Sequence, residues 1–382
     1  MNNRCSSLLD LTFVVLLTMW IPATAGTQFP PLMESLDVDW FGDPEVMVRA
    51  GDYGGVLYPA EAYLKQHPHS WGARWIQAGA YYSLGRADKS AYDKALDAYG
   101  TLLQDMPQRA ALLAAVHYWR GRSFFAKEDY SGAHQAFTAS LATGDLRHIT
   151  SNDPYFYAGM SAFLSGALDA AVPLFDAYVT NTTNPDNKGF GLLWKSRTLR
   201  SLKQGAAAMT AIDASAEQYL TAHNYLSVAV LVQRAECRTD TGDKAHALQD
   251  LNDALKQAPI GDDEKRLLER ARTLRAQLLL PDGYVFQGGL TWMPATVMDT
   301  WPNANAYCNK TAINGQMGWR MPTKSELLAL YASGAMNAKG WRMVYAWTPM
   351  PHGTGKHELV GLSDGRDSWF DDTETGLVSC VR

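Results

Sequence analysis

Residues Lys127–Leu141 read KEDYSGAHQAFTASL, and the same arrangement returns along the first two thirds of the chain. It recurs as GDYGGVLYPAEAYLKQHP from Gly51, ADKSAYDKALDAYGTLLQDMP ending at Pro107, SGALDAAVPLFDAYV from Ser165, and TGDKAHALQDLNDALKQAP ending at Pro259. Aligned, these stretches put a small residue at Val56, Ala95, Ala133, Ala171, Ala208 and Ala247, spaced by 39, 38, 38, 37 and 39 residues. A bulky side chain follows four residues later at Tyr99, Phe137, Phe175, Ile212 and Leu251. A period of this length marks units that cannot bury an apolar face alone and that build a core by stacking.

The pattern predicts a helix–turn–helix unit. Small residues at Gly79, Gly121 and Gly159 let two helices approach, the alanine opening the second helix does the same, and the bulky residue fills the space between hairpins. Ser196 replaces the glycine in the unit Gly189–Tyr219, which also lacks a closing proline. Elsewhere Pro68, Pro107 and Pro259 end second helices, because proline lacks the N–H donor and clashes with the preceding turn. Over about residues 45–260 this resembles the tetratricopeptide repeat (TPR), in units longer than the usual 34 residues. A last helix from Asp262 to Leu280 opens on acidic residues and is rich in Lys and Arg, as a polar solenoid cap requires.

Stacked first helices line a concave groove. The register puts Tyr118, Arg122, Phe156, Tyr157, Trp194, Arg197, Arg200 and Gln233 on that lining, where the arginines would hold an acidic peptide of a protein partner. The alternative is that the aromatics are core and the arginines solvated.

Composition changes near Pro281-Asp282-Gly283, after which six of the twelve tryptophans occur. The order predicted there is a hairpin over 284–292, a helix from Pro302 to Asn309, and a second helix at Thr323 behind the capping box Thr323-Lys-Ser-Glu326. Short strands follow near Met343–Trp347, His357–Leu362, Ser368–Asp371 and Leu377–Val381, with Ser363-Asp364-Gly365 as a turn. The whole is therefore multidomain: a signal peptide 1–25, an extension 26–44, an all-α solenoid 45–280, and an α+β domain 283–382.

Within that last domain the blocks ANAYCNK, GWRMPTKSELLALY, YAWTPM, HELVGLSDG and LVSCVR occur in order. Together they resemble the C-type-lectin-like C-terminal domain of intimin/invasin-type and collagen-like bacterial adhesins (DUF1566-like). The resemblance implies a recognition module for a surface protein or glycan, and a bridge between Cys308 and Cys380. Position alone points to the same pairing, leaving Cys237 as a buried helical thiol; closing such a loop contributes about 4 kcal/mol in the chain-entropy model. Trp341, Trp347, His352 and His357 are the candidate ligand contacts, on or beside a loop expected over Trp347–Lys356. The calcium-lectin signatures Glu-Pro-Asn, Gln-Pro-Asp and Trp-Asn-Asp are absent, and the acids Asp364, Asp367, Asp371, Asp372 and Glu374 show no calcium-ligand spacing. No metal and no cofactor is expected.

Arg4, the apolar run Leu11–Ile21 and the small residues Ala23-Thr24-Ala25 have the layout of a secretory signal cleaved after Ala25. An apolar run of about eleven residues is too short to span a membrane core of about 30 Å. Cys5 would leave with this leader, giving an exported chain, periplasmic or at the cell surface, with no transmembrane segment. A net charge of −5 offers no electrostatic pull toward nucleic acid. No nucleophile elbow, P-loop, dinucleotide fingerprint or metal-hydrolase helix occurs, so no enzyme is expected. The expectation is non-catalytic recognition of adhesion type, the alternative a periplasmic assembly scaffold or chaperone.

Overall fold

The computed structural model of the chain describes residues 53–106, 108–149, 153–337 and 339–382. The leader, the N-terminal extension, Cys5 and Pro107 lie outside the described residues. Two compact units divide after Leu268.

The first unit is helical: α1 (Tyr53–Gln66), α2 (Trp71–Leu84), α3 (Ala91–Asp105), α4 (Ala110–Ala126), α5 (Tyr130–Ala142), α6 (Asp153–Leu164), α7 (Leu168–Asn181), α8 (Pro185–Ser201), α9 (Gly205–His223), α10 (Val228–Asp240), α11 (Lys244–Leu255) and α12 (Asp262–Leu279). Among the described residues, hairpins pair α2 with α3, α4 with α5, α6 with α7, α8 with α9 and α10 with α11. First helices also touch one another, α6 against α8 and α8 against α10. The unit division falls inside α12, whose first turn holds Asp262, Asp263 and Glu264 against the positive helix end.

The repeat register explains the packing. Val56, Ala95, Ala133, Ala171, Ala208 and Ala247 are all fully buried near the start of second helices, and so are Tyr99, Phe137, Phe175, Ile212 and Leu251 one turn on. A side chain on Gly121 would stand 2.8 Å from the Phe137 ring, and one on Gly159 would stand 2.9 Å from the Phe175 ring. Ser196 occupies the equivalent place in α8, where its Oγ donates to the Ala208 carbonyl at 2.9 Å. Gly79 does not belong to this series. Ser83, 38 residues before Gly121, holds the register, and Gly79 falls one turn early.

A third position of the unit emerges only from the structure. Ser140 Oγ donates to the Ala114 carbonyl at 2.8 Å, and Ser215 Oγ donates to the Gly189 carbonyl at 2.6 Å. Each buried hydroxyl thus ties a second helix to its own first helix, which meets the demand that buried polar groups be paired.

The second unit continues from α12 into a hairpin, β1 (Val285–Gln287) and β2 (Leu290–Trp292), then β3 (Met298–Thr300), α13 (Trp301–Lys310), α14 (Lys324–Ser333), β4 (Tyr345–Pro351), β5 (Lys356–Gly361), β6 (Asp367–Asp371) and β7 (Thr375–Leu377). The five-stranded sheet has the order β3-β7-β4-β5-β6, antiparallel except where β4 meets β7. The capping box forms as the sequence predicts, with Thr323 accepting from the Glu326 N–H and Glu326 accepting from the Thr323 N–H.

Three local expectations are corrected. The segment Trp347–Lys356 is not one loop: β4 runs through Pro351 across a register irregularity, and only His352–Gly355 turn, closed by the His352 N–H on the Lys356 carbonyl at 2.8 Å. Prolines 349 and 351 are accommodated by that irregularity, where ladder bonds are broken. The strand expected over 377–381 stops at Leu377. Beyond it Val381 bridges to both Trp292 and Arg320, and the backbones of Thr291 and Arg382 exchange bonds of 2.9 and 3.0 Å. The three-residue β3 adds a strand that the sequence does not announce, being too short to show an alternating pattern.

Sulfurs of Cys308 and Cys380 are bonded across 72 residues, joining α13 to the extended segment after β7. Around this bridge Trp319, Met321, Val378 and Trp347 form one core, while Leu327, Leu330, Val360, Trp341 and Trp292 form the other on α14.

Candidate functional site

In the helical unit the bulky groove candidates form the lining's foundation. Tyr118, Phe156, Tyr157 and Trp194 are all buried, members of one aromatic cluster centred on α4, α5, α6 and α8. Gln233 is buried as well, its amide reaching Ser196 Oγ at 3.3 Å and the Cys237 sulfur at 3.6 Å. Cys237 is the buried thiol of that network, and burial pushes its pKa up. These five candidates therefore offer little surface to a ligand; they hold the helices that carry the arginines.

Arg122 stands over them. Its guanidinium lies 4.3 Å from the Tyr157 ring centre and donates to the Tyr118 hydroxyl at 2.8 Å. The rings of Trp119 and Tyr118 approach it at 5.8 Å each. Among the described residues it pairs with no carboxylate. A flat cation seated on aromatic faces keeps a fixed direction and its remaining donors, which suits it to hold a planar anion. The box continues sideways, because Tyr82 of α2 meets Trp119 at 5.2 Å and Tyr118 meets Tyr157 of α6 at 6.4 Å.

Arg197 of α8 is also backed by an aromatic ring, 4.6 Å over Trp194. Arg200 is held instead by Glu236 at 2.7 Å and Asp240 at 2.5 Å, both from α10, and serves the hairpin stack. Next to it Asp250 of α11 takes Arg234 and Arg238 of α10, each at 2.6 Å, in a pairing shielded from water.

The second unit sorts its four candidates in two. Trp341 and Trp347 are core pillars, their indole N–H groups donating to the Gly283 carbonyl at 2.7 Å and the Asp299 carbonyl at 2.9 Å. Gly376 carries no side chain because Trp347 and Leu359 occupy the space a Cβ would need. His357 is half-buried, stacked 3.6 Å from Trp301 and bonded through Nδ1 to Asp372 at 2.6 Å. His352 is exposed and lies parallel to Trp369 with ring centres 5.1 Å apart.

Trp369 is the residue that sequence reading misses. It is 51% exposed on the edge strand β6, Lys356 Nζ sits 4.8 Å from its ring, and Met350 of β4 is 59% exposed. A signal is present in the sequence: in DSWFD the tryptophan stands two residues from both Asp367 and Asp371, and therefore shares their polar face. The acids of this region are engaged in pairs, Asp367 with Lys324, Asp371 with Lys356 and Asp372 with His357. Among the described residues no three His, Cys, Asp or Glu side chains converge as metal ligands, and no helix is long and apolar enough to cross a membrane.

Comparison with known proteins agrees with the helical architecture. The tetratricopeptide repeat family model matches residues 60–102 and 118–187. No curated protein matches the chain. Among solved structures the chain is similar to YrrB, described as a TPR protein with an unusual peptide-binding site, at 16% identity over 56% of this chain and 97% of that one, with a TM-score of 0.42. It is also similar to a tetratricopeptide repeat protein of Parabacteroides merdae (18% identity, 60% and 81% of the chains, TM-score 0.35). A thermophilic TPR protein of Thermus thermophilus is a third (19% identity, 51% and 98%, TM-score 0.35). The matched family is a repeat module that generally scaffolds protein binding, and no enzyme family is indicated. With its register, its hairpins and that match in agreement, the first unit is a solenoid of tetratricopeptide repeats.

Proposed function

We propose that this chain is an exported bacterial cell-envelope protein for non-catalytic recognition, in which the repeat groove holds an acidic segment of a protein partner. The observation that carries the reading is Arg122, a guanidinium stacked on Tyr157 with no carboxylate partner among the described residues. Arg197 on Trp194 offers a second aromatic-backed cation on the same row of first helices. Export rests on the leader read from the sequence, and the bridged pair Cys308–Cys380 suits an oxidising compartment.

The C-terminal unit takes the role of a lectin-like module binding a surface protein or glycan, through the exposed pair Trp369 and His352 rather than through Trp341 and Trp347. An exposed tryptophan beside a stacked histidine is a platform for a sugar face or a protein hot spot. The burial of Trp341 and Trp347 favours a second reading, a periplasmic assembly scaffold or chaperone whose C-terminal unit serves no ligand.

Affinity capture from envelope extract with the full chain separates these. The proposal expects a discrete protein that wild type retains and Arg122→Gln releases. It also expects saturable binding of a glycan or surface protein that Trp369→Ala abolishes. Retention of the protein by Arg122→Gln would refute the groove assignment. Capture that needs Arg122 with no ligand at all for Trp369 would leave the scaffold reading standing and remove the adhesion reading.

A further inference from the structure

Residues 27–43 read TQFPPLMESLDVDWFGD, with Glu34, Asp37, Asp39 and Asp43 and no Lys, Arg or His. This stretch alone carries −4 of the chain's net charge of −5, so the acid is concentrated here rather than spread. Pro30-Pro31 opposes a helix at its start. In an extended backbone Asp37 and Asp39 fall on one side, with Leu36, Val38 and Trp40 on the other.

The groove asks for that chemistry. Arg122 keeps its guanidinium 4.3 Å from the Tyr157 ring and pairs with no carboxylate among the described residues. Arg197 adds a second positive charge on the same row of first helices. By the repeat register α1 is a second helix, because Val56 takes the place of the buried alanine. The chain ahead of Tyr53 therefore enters from the row of first helices, the row that lines the groove. Reach is sufficient: α1 packs on α2, and Tyr82 of α2 meets Trp119 of α4 at 5.2 Å. At about 8–10 Å per helix spacing, Arg122 is roughly 20 Å across the stack from α1. Asp39 and Asp37 stand 14 and 16 residues ahead of Tyr53, an extended reach of about 50 Å.

We infer that residues 27–43 are the groove's resident occupant, seating a carboxylate of their own on Arg122 until an acidic partner displaces it. The inference rests on the groove reading above and adds that the groove is guarded from within the same chain. A guanidinium fork takes both oxygens of one carboxylate, so a single acid satisfies Arg122. Tethering presents the segment at an effective concentration of about 1 mM, so a Kd of about 0.1 mM already fills the groove about nine times in ten. A partner must then compete, and its apparent affinity falls about tenfold.

The test titrates a fluorescent peptide of residues 27–43 into the full chain at low ionic strength, read by anisotropy. Wild type is compared with a chain carrying Glu34→Gln, Asp37→Asn, Asp39→Asn and Asp43→Asn, which keeps the length and removes the charge. Saturable binding about tenfold tighter to the neutralised chain is expected. Adding Arg122→Gln to that chain should abolish it, and Arg122→Lys, which keeps the charge, should retain part of it. Equal affinity for the two chains overturns the inference, as does the absence of saturable binding to the neutralised one. A wild-type dimer that dissociates on Arg122→Gln, seen by light scattering, overturns it too, since a second copy would then be the occupant. Capture of an envelope protein through Arg122 without peptide binding would remove this inference and leave the groove reading. Peptide binding without such capture would leave the inference and remove the external partner.

Discussion

Replacing glycine by alanine at two positions of the solenoid is expected to change stability in opposite directions. Gly100 lies inside α3 with nothing within 4 Å of where a Cβ would stand. Gly100→Ala therefore gains the helix preference of alanine alone, about 0.8–1.0 kcal/mol. Gly121 lies inside α4, and its Cβ would come 2.8 Å from Cδ1 and Cε1 of Phe137. An ordinary carbon–carbon contact is about 3.5–4.0 Å, so the ring must retreat by close to 1 Å. It has nowhere to go: Phe137 is fully buried, stacked on Tyr157 at 5.6 Å and flanked by Tyr118 at 5.8 Å. Overpacking of this kind costs about 1–3 kcal/mol, which exceeds the propensity gain and leaves Gly121→Ala net destabilising by about 1 kcal/mol. Guanidinium titration of the full chain, followed by helical circular dichroism, reads both midpoints. Phe137→Leu combined with Gly121→Ala should recover part of the loss, a coupling of about 1–2 kcal/mol between touching residues. If Gly121→Ala stabilised the chain as much as Gly100→Ala, the close packing of α4 on Phe137 would be wrong.

Asp250→Ala strands Arg234 and Arg238 beside each other with no counter-charge, and should cost about 3 kcal/mol, seen as faster hydrogen exchange in α10 and α11. Serine at both Cys308 and Cys380 removes a bridge spanning 72 residues and should lower the stability of the second unit by about 4 kcal/mol, measured by tryptophan fluorescence in denaturant. Glu326 has its carboxyl pulled from 4.5 to about 2, first by Arg320 and then by the Thr323 N–H and hydroxyl. A depressed carboxyl contributes stability that is complete above about pH 4.5 and is lost as pH falls through about 2. Glu326→Gln keeps the cap, since a glutamine oxygen also accepts from the Thr323 N–H, but loses the ion pair with Arg320. It should flatten the acid limb of the second unit's stability curve in that window and cost about 1 kcal/mol at neutral pH.

Much of the helical unit is legible because repetition multiplies a weak signal. A lone alanine four residues before a bulky side chain means little, but five such pairs at nearly constant spacing define a register, and all five are buried. Gly79 shows the limit: residue type points to that glycine, whereas the register position holds Ser83, whose small size serves the same purpose. Groove side chains are harder. Tyr118 and Arg122 sit one turn apart on one face, and a turn of helix separates core from lining, so residue type cannot divide them. The ion pairs of Arg200 with α10 are invisible in sequence because they join residues 36 and 40 apart.

In the second unit the elements are readable from caps and turns, Thr323 and Ser363-Asp364-Gly365 above all, while the ligand face is not. Tryptophan is the largest apolar side chain and also a frequent contact residue, so count and type favour Trp347 and Trp369 equally. Their strands decide between them. Trp347 lies between Ala346 and Thr348 in a wholly buried run, whereas Trp369 shares its face with exposed Asp367 and Asp371 on an edge strand.

A protein partner seated on the first helices of the repeats must shield their amides from solvent. Hydrogen exchange of the full chain, with and without the partner captured from envelope extract, reads that shielding directly. New protection is expected in α4, α6 and α8, centred on the turns carrying Arg122 and Arg197. Protection confined to α3, α5 and α7, or to the second unit alone, would contradict a partner in the groove.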